Sequence, residues 1–193
     1  MTRGICSWWA PARLRACCPT HTVPCGRSIA SPRARSGEQA EALAVKLRGE
    51  GVDARAANEL ASAVAQADIV SCATLATAPV IQGRWLRPGS HLDLIGSFTP
   101  AMRESDDDCY AGARLFVDTD EALQKSGDLL GPMSRGVFAA DDVRATLAAL
   151  ARGTSAGRRS AGERTVFKAV GTALEDLAAA TLVYESLAGA ERS

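Results

Sequence analysis

Apolar residues recur along the chain with two different periods, and the two periods alternate. Helical spacing predicts helices over residues 36–49, 58–64 and 171–187. Short, compact apolar runs predict strands over residues 52–56, 69–73, 91–95, 115–117 and 165–168. Because strands alternate with helical segments at close spacing, the pattern predicts an α/β fold built on a parallel sheet.

Polar residues mark where several of these helices should begin. Ser36 followed by Gln39 is a capping-box pattern, and Asn58 can cap the second helix. Asp141 and Asp142 can cap a further helix that carries Val143, Leu147 and Leu150. Shorter helical segments are predicted at residues 85–89, 103–111 and 120–125.

The composition of the chain changes near residue 35. Residues 1–37 contain six arginines, four of the six cysteines and no Asp or Glu, whereas the composition of an ordinary globular domain begins at Glu38. We expect residues 1–34 to be a leader that is disordered or poorly packed, produced by an alternative start or a shifted reading frame. A mitochondrial-type presequence is disfavoured because prolines and cysteines interrupt any amphipathic helix there.

Four potential zinc ligands lie within nine residues of this leader: Cys17, Cys18, His21 and Cys25. A structural zinc site usually brings together two ligand pairs from separate turns. No second pair accompanies these residues, since Cys72 and Cys109 lie in an unrelated context. We therefore predict no metal site.

Charge and hydropathy exclude several other classes of partner. The chain has 22 basic and 22 acidic residues, so no net field attracts nucleic acid or a membrane surface. No apolar run approaches the roughly 18 residues of a membrane span, and the start of the chain lacks the pattern of a secretory signal. We expect a cytoplasmic protein.

Two predicted strands end in residues that suit a ligand site. The strand at 69–73 is followed by Thr74, and the strand at 91–95 by Gly96 and Ser97. In an open parallel sheet, ligands bind outside the carboxyl ends of the strands. The small residues either make room for a flat ring or simply permit the turn before Pro100, and spacing alone leaves both possibilities open. A Gly-x-Gly-x-x-Gly loop for a pyrophosphate is absent from the sequence.

Four separated blocks match one known family in collinear order. They read ADIVSCAT (67–74), HLDLIGSFTPAMRE (91–104), RLFVDTDEALQKSGDL (114–129) and TVFKAVGTALEDLAAATLVYE (165–185). These blocks resemble the ornithine cyclodeaminase/mu-crystallin family. The combination of IGSFTP and KAVGTALEDLA is most similar to its bacterial ketimine reductases, which reduce Δ1-pyrroline-2-carboxylate and Δ1-piperideine-2-carboxylate.

The resemblance implies an architecture and a set of partners. Residues 35–130 would form part of a dinucleotide-binding, Rossmann-like parallel sheet that lacks its first unit. Residues 131–193 would form a returning C-terminal helical segment that completes the substrate and dimer domain. The implied protein is a homodimeric oxidoreductase that uses NADPH or NADH and reduces a small cyclic imino acid to proline or pipecolate.

The resemblance also implies roles for individual residues. Those implied to line the cofactor are Arg35, Ser36, Thr74, Leu92, Asp93, Leu94, Ile95, Gly96, Ala169 and Val170. Those implied to face substrate are Ser97, Phe98 and Val170. Within the first set, Arg35 and Ser36 would contact the adenosine ribose or its 2′-phosphate, and an arginine there favours NADPH because it binds a phosphate in bidentate fashion.

Two departures from the family pattern keep alternatives open. True cyclodeaminases have an aspartate and a lysine at the positions of Phe98 and Met102, and phenylalanine cannot move a proton, so cyclodeaminase activity is disfavoured. The family's substrate-carboxylate arginine and lysine and its glycine-rich loop correspond to the half that residues 1–34 replace. We therefore assign no catalytic residue, and a non-catalytic, mu-crystallin-like binding protein stands as the alternative to a reductase.

Overall fold

The computed structural model describes residues 28–30 and 37–190. Helices and strands follow one another along these residues in the order β1 (Ser28–Ala30), α1 (Gly37–Gly49), β2 (Ala54–Ala56), α2 (Leu60–Gln66), β3 (Ile69–Cys72), β4 (His91–Leu94), β5 (Arg114–Val117), α3 (Ala122–Lys125), α4 (Gly127–Ser134), β6 (Val143–Thr146), α5 (Leu147–Ala151), β7 (Thr165–Lys168) and α6 (Ala173–Ala190). The predicted alternation of strands and helices is therefore confirmed.

Five of the strands form a parallel sheet in the spatial order β3-β4-β7-β5-β6. Side chains alternate across it: on β4, Leu92 and Leu94 are buried, whereas His91 and Asp93 on the opposite face are half-buried. Leu92 and Leu94 join apolar side chains of the neighbouring strands, such as Val70 and Val166, in one core. Burial of this face is the main stabilising term of the sheet.

A second, two-stranded parallel sheet forms from β1 and β2, with α1 between them in the chain. Ser28–Ala30, which lie in the segment predicted to be disordered or poorly packed, pair with Ala54–Ala56. The remaining residues of that leader, including its four potential zinc ligands, lie outside the described residues.

Two predicted helix starts are wrong. Helix α2 is capped by Glu59 rather than Asn58, since the Glu59 carboxylate accepts hydrogen bonds from the backbone N–H groups of Ala61 and Ser62. The helix predicted after Asp142 is instead the strand β6, followed directly by the short helix α5. The spacing of Val143, Leu147 and Leu150 imitates a helical face because the two elements are joined without a loop.

The other short helical predictions are met only in part. The segments at 85–89 and 103–111 reduce to single 3₁₀ turns at Gly83–Trp85 and Asp107–Cys109. The loop after β4 folds back onto the segment after β3, where the Glu104 carbonyl accepts hydrogen bonds from the backbone N–H groups of Val80 and Ile81. This return brings Glu104 into the interior of the protein.

The C-terminal part of the chain is not purely helical. Strand β7 lies in the middle of the five-stranded sheet between β4 and β5, and β6 forms one edge of the same sheet. The predicted boundary at residue 130 therefore does not coincide with a boundary of this sheet. Helix α6 follows β7, and its side chains from Ala173 to Leu187 are all exposed. No helix in the described part of the chain is long and apolar enough to cross a lipid bilayer.

Candidate functional site at the carboxyl edge of the sheet

The carboxyl ends of β3, β4 and β7 lie side by side, because these strands are consecutive neighbours in a parallel sheet. Backbone hydrogen bonds extend the pairing just past the strands, from Ile95 N to the Cys72 carbonyl (2.7 Å) and from Ala169 N to the Leu94 carbonyl (3.0 Å). Thr74, Ile95 and Val170 therefore follow three adjacent strands at the same edge. The structure brings together the three segments that sequence reasoning singled out.

Apolar side chains project from this edge. Leu75, Ile95 and Phe98 are 65%, 38% and 47% exposed, and Val170 is half-buried. Apolar side chains standing free at the carboxyl edge of a parallel sheet suit a flat, partly apolar ligand. Thr74 itself is buried, and its hydroxyl accepts a hydrogen bond from Ala76 N at 3.3 Å.

Gly96 and Ser97 are buried, and the surroundings of Gly96 give an explanation of the small residue that neither sequence-based alternative included. A Cβ at residue 96 would overlap the backbone nitrogen and oxygen of Thr74 and Oε1 of Glu104. The missing side chain thus makes room for the neighbouring strand end and for a carboxylate of the protein. The alternative that Gly96 leaves space for a ligand ring does not describe this geometry.

Ser97 does not face the edge, so the structure corrects its predicted contact with substrate. The residue is fully buried, and its hydroxyl donates to the Met102 carbonyl at 2.7 Å. The same oxygen accepts from Asp128 N at 3.1 Å and lies 3.1 Å from the Ser126 hydroxyl. These internal bonds leave the side chain with a structural role in the loop after β4.

The predicted cofactor residues of β4 divide between the two faces of the sheet. Leu92 and Leu94 are core residues, 1% and 0% exposed, so their side chains are not available to a ligand. Asp93 is half-buried and accepts a hydrogen bond from the Ser71 hydroxyl at 2.7 Å. Burial raises the pKa of Asp93 above its ordinary value, and the Ser71 hydrogen bond opposes this effect.

The segment Ala169–Gly171 is held by a residue that sequence reasoning missed. Asp118, just after β5, accepts hydrogen bonds through Oδ2 from Val170 N (2.7 Å) and Gly171 N (2.8 Å). Ala169 and Val170 are both half-buried at the edge. Gly171 has a φ of +79°, a conformation that favours glycine at this turn.

A buried polar cluster lies beneath the edge, and none of its members was among the predicted site residues. It consists of Glu104, Asp118, Asp128 and Lys168. Glu104 accepts hydrogen bonds from Thr74 N (2.5 Å) and Gly96 N (2.8 Å), and Asp128 Oδ1 accepts from Glu104 N and Ser105 N at 3.0 Å each. The sequence offers only a weak sign of this cluster. Side chains alternate between the two faces of β7, so Lys168 falls on the same buried face as Val166, an unusual place for a lysine.

Burial dominates the electrostatics of this cluster. It raises the pKa of Glu104, although the hydrogen bonds from Thr74 and the charge of Lys168 oppose it. It lowers the pKa of Lys168, against the attraction of Asp128 and Glu104. The Lys168 ammonium donates to the Leu94 carbonyl at 3.1 Å, so the cluster links β7 to β4.

Two predicted site residues, Arg35 and Ser36, lie outside the described residues. Within the described part of the chain, no group of three His, Cys, Asp or Glu side chains is arranged to hold a metal ion. Both described cysteines, Cys72 and Cys109, are buried, and burial raises the pKa of each thiol.

Comparison with known proteins gives consistent matches. Over 157 residues the chain is 45% identical to a Δ1-pyrroline-2-carboxylate reductase of Paracoccus denitrificans, covering 81% of this chain and 50% of the relative. Among solved structures, the Δ1-pyrroline-2-carboxylate reductase of Thermococcus litoralis in complex with NADH and L-proline aligns with a TM-score of 0.78 and 31% identity, covering 84% of this chain and 50% of that one.

An archaeal alanine dehydrogenase dimer with bound NAD aligns with a TM-score of 0.79 and 27% identity, over 88% of this chain and 52% of that one. The chain spans about half the length of the curated relatives it matches. The family profile "Ornithine cyclodeaminase/mu-crystallin family" matches residues 31–191, which contain every strand of the five-stranded sheet. The chain belongs to the ornithine cyclodeaminase/mu-crystallin family.

Proposed function

We propose that this chain provides the nicotinamide-binding edge of an NAD(P)H-dependent reductase of cyclic ketimines. The substrates would be Δ1-pyrroline-2-carboxylate and Δ1-piperideine-2-carboxylate, reduced to proline and pipecolate. The observation that supports the proposal is the placement of Thr74, Ile95 and Val170 on three consecutive strand ends in a chain of this family.

The described residues fit one half of the cofactor better than the other. Ile95, Phe98 and Val170 offer an apolar rim on which a nicotinamide ring can lie. The sequence contains no Gly-x-Gly-x-x-Gly loop for the pyrophosphate. Arg35 and Ser36 remain proposed contacts for the adenosine ribose or its 2′-phosphate. The bound cofactor would supply a hydride, and this chain's residues would orient the ring and exclude water from one side.

Phe98 argues for a reductase rather than a cyclodeaminase. Its side chain is 47% exposed at the edge, so it occupies accessible space where a proton-transferring group would need to stand. A phenyl ring can pack against a cyclic imine but cannot take up or release a proton. No residue of this chain is assigned as the proton donor.

The proposal also includes a homodimer. Six apolar or aromatic side chains of α6 are 59–75% exposed: Leu174, Leu177, Leu182, Val183, Tyr184 and Leu187. A face of this kind favours burial against another surface, and a second copy of the chain is the proposed occupant. The related archaeal alanine dehydrogenase is described as a dimer.

A fluorescence titration of the purified chain with NADH and NADPH tests the proposal. We expect saturable binding with a dissociation constant at or below about 1 mM. The variant Ile95→Asp places a charge on the apolar rim and should weaken binding at least about tenfold. Arg35→Ala should weaken NADPH binding more than NADH binding.

The matched control is Val137→Asp. Val137 is 37% exposed, close to the 38% of Ile95, and it follows α4, where its backbone N–H donates to the Pro132 carbonyl at 3.0 Å. This variant should bind like the wild type. Absence of saturable binding by the wild-type chain would favour the second candidate, a non-catalytic binding protein, which the missing glycine-rich loop supports.

A further inference from the structure

Two buried carboxylates hold the ends of neighbouring strands by accepting hydrogen bonds from backbone amides. Glu104 is fully buried and accepts from Thr74 N, which follows β3, and from Gly96 N, which follows β4. Asp118 is 4% exposed and accepts from Val170 N and Gly171 N, which follow β7. Each carboxylate thus holds two of the amides that lie at the proposed cofactor edge.

These amides lie just past the end of the regular strand pairing. The ladder between β4 and β7 ends with Ala169 N donating to the Leu94 carbonyl, so Val170 N and Gly171 N lie beyond it. Asp118 satisfies both of them, and its other oxygen accepts from Thr119 N at 2.7 Å. Hydrogen bonds to an ionised acceptor are stronger than neutral ones, so a single buried carboxylate can fix a turn that no strand supports.

Glu104 is itself held from two sides. Its backbone carbonyl pairs with Val80 and Ile81, and its backbone N–H donates to Asp128 Oδ1 at 3.0 Å. The carboxylate fills the space that the absent Cβ of Gly96 leaves beside Thr74. One side chain thus joins the ends of β3 and β4 just past the last backbone hydrogen bond between them, from Ile95 N to the Cys72 carbonyl.

We propose that Glu104 and Asp118 are positioning residues for the proposed function, on which this inference rests. They do not touch the ligand, since both are buried beneath the edge. They fix the backbone of Thr74, Gly96, Val170 and Gly171, so that a nicotinamide ring meets a surface already in its binding geometry. Holding such segments in place before binding reduces the ordering cost of binding.

The experiment compares Asp118→Asn with Leu115→Ala, a core substitution on β5, the strand that Asp118 follows. Asparagine keeps the shape of the side chain but offers one acceptor oxygen instead of two. We expect faster amide hydrogen exchange at Val170 and Gly171 and a dissociation constant for NADH at least about tenfold higher. Leu115→Ala removes core packing near the amino end of β5 and should leave NADH affinity within about twofold at temperatures well below unfolding.

Glu104→Gln provides an independent second variant at the other pair of amides. It should speed exchange at Thr74 and Gly96 while leaving exchange at Val170 and Gly171 as in the wild type. Unchanged exchange at the held amides in both variants would overturn the inference, as would equal losses of NADH affinity in Asp118→Asn and Leu115→Ala. Failure of the wild-type chain to bind NADH would overturn the proposed function, a result that the exchange measurement distinguishes from a failure of positioning.

Discussion

The five-stranded sheet and helix α6 differ in how much of their apolar surface is buried. In the sheet, apolar side chains such as Leu94 and Val166 are almost completely buried, and the charged groups among them are hydrogen bonded. In α6, Leu174 and Tyr184 are about three-quarters exposed, at 75% and 73%. The comparison teaches that the sheet buries its apolar side chains within the described residues, whereas α6 leaves an apolar surface exposed there.

The carboxyl edge shows how demanding the packing of the sheet is. A Cβ at Gly96 would overlap the Thr74 backbone and the Glu104 carboxylate together, and neither can move without breaking a buried hydrogen bond. Gly96→Ala should therefore lower the free energy of unfolding by about 3 kcal/mol or more. Urea denaturation followed by circular dichroism measures the change.

Gly157→Ala is the control for this substitution. No heavy atom of the described residues lies within 4 Å of a Cβ built at Gly157, so an alanine there meets no obstacle. Its effect should stay within about 0.5 kcal/mol. If Gly96→Ala were as stable as Gly157→Ala, the backbone at the edge would be able to shift and accept a Cβ, and the tight packing inferred at Gly96 would be wrong.

Lys168 makes the stability of the sheet depend on pH. Because burial lowers the pKa of Lys168 from its ordinary 10.5, the folded protein releases this proton at a lower pH than the unfolded chain does. Between these two pKa values the unfolded chain binds more protons, so the contribution of Lys168 to stability rises with pH. Linkage sets the maximum slope at about 1.4 kcal/mol per pH unit for one group.

The measurement is the difference in unfolding free energy between the wild type and Lys168→Met from about pH 7 to about pH 10. The difference should grow in favour of the wild type as the pH rises. Using the difference between the two proteins removes the contributions of other groups, such as Tyr110, whose pKa burial raises. Lys46→Met, which removes an exposed ammonium, is the charge-matched control. A difference that stays constant over this range would contradict the burial of the Lys168 ammonium.

Sequence reasoning recovered four of the five strands of the five-stranded sheet, all except β6, because their apolar runs are short and compact. It also located the edge, since Thr74, Ile95 and Val170 each lie within two residues of the carboxyl end of a strand. It could not find the roles of Glu104 and Asp118. Their partners are backbone amides as far as 53 residues away along the chain. Every residue except proline has such an amide, so the sequence does not show which of them a carboxylate will bind.

Helical periodicity failed in a different way. It correctly predicted a long helix near the C-terminus, which the structure shows as Ala173–Ala190. Periodicity describes which side chains share a face but contains no information about what covers them. The same limitation explains β6, where Val143 and Leu147 have helical spacing although they belong to a strand and to the helix after it.

The smallest expected effect is the sharpest test of the difference between sheet and helix. Leu177 is 63% exposed and Leu94 is fully buried, so the same change from leucine to alanine probes both environments. Leu94→Ala should cost about 3 kcal/mol, because it leaves a cavity in the core. Leu177→Ala should change stability by less than about 0.5 kcal/mol in dilute protein, because almost no packing is lost there.

Repeating both measurements at higher protein concentration tests the proposed homodimer. If a second copy covers α6, the cost of Leu177→Ala should grow with concentration while that of Leu94→Ala should not, because only the first side chain gains a partner through association. A cost for Leu177→Ala that stays small at every concentration would exclude this residue from the dimer interface.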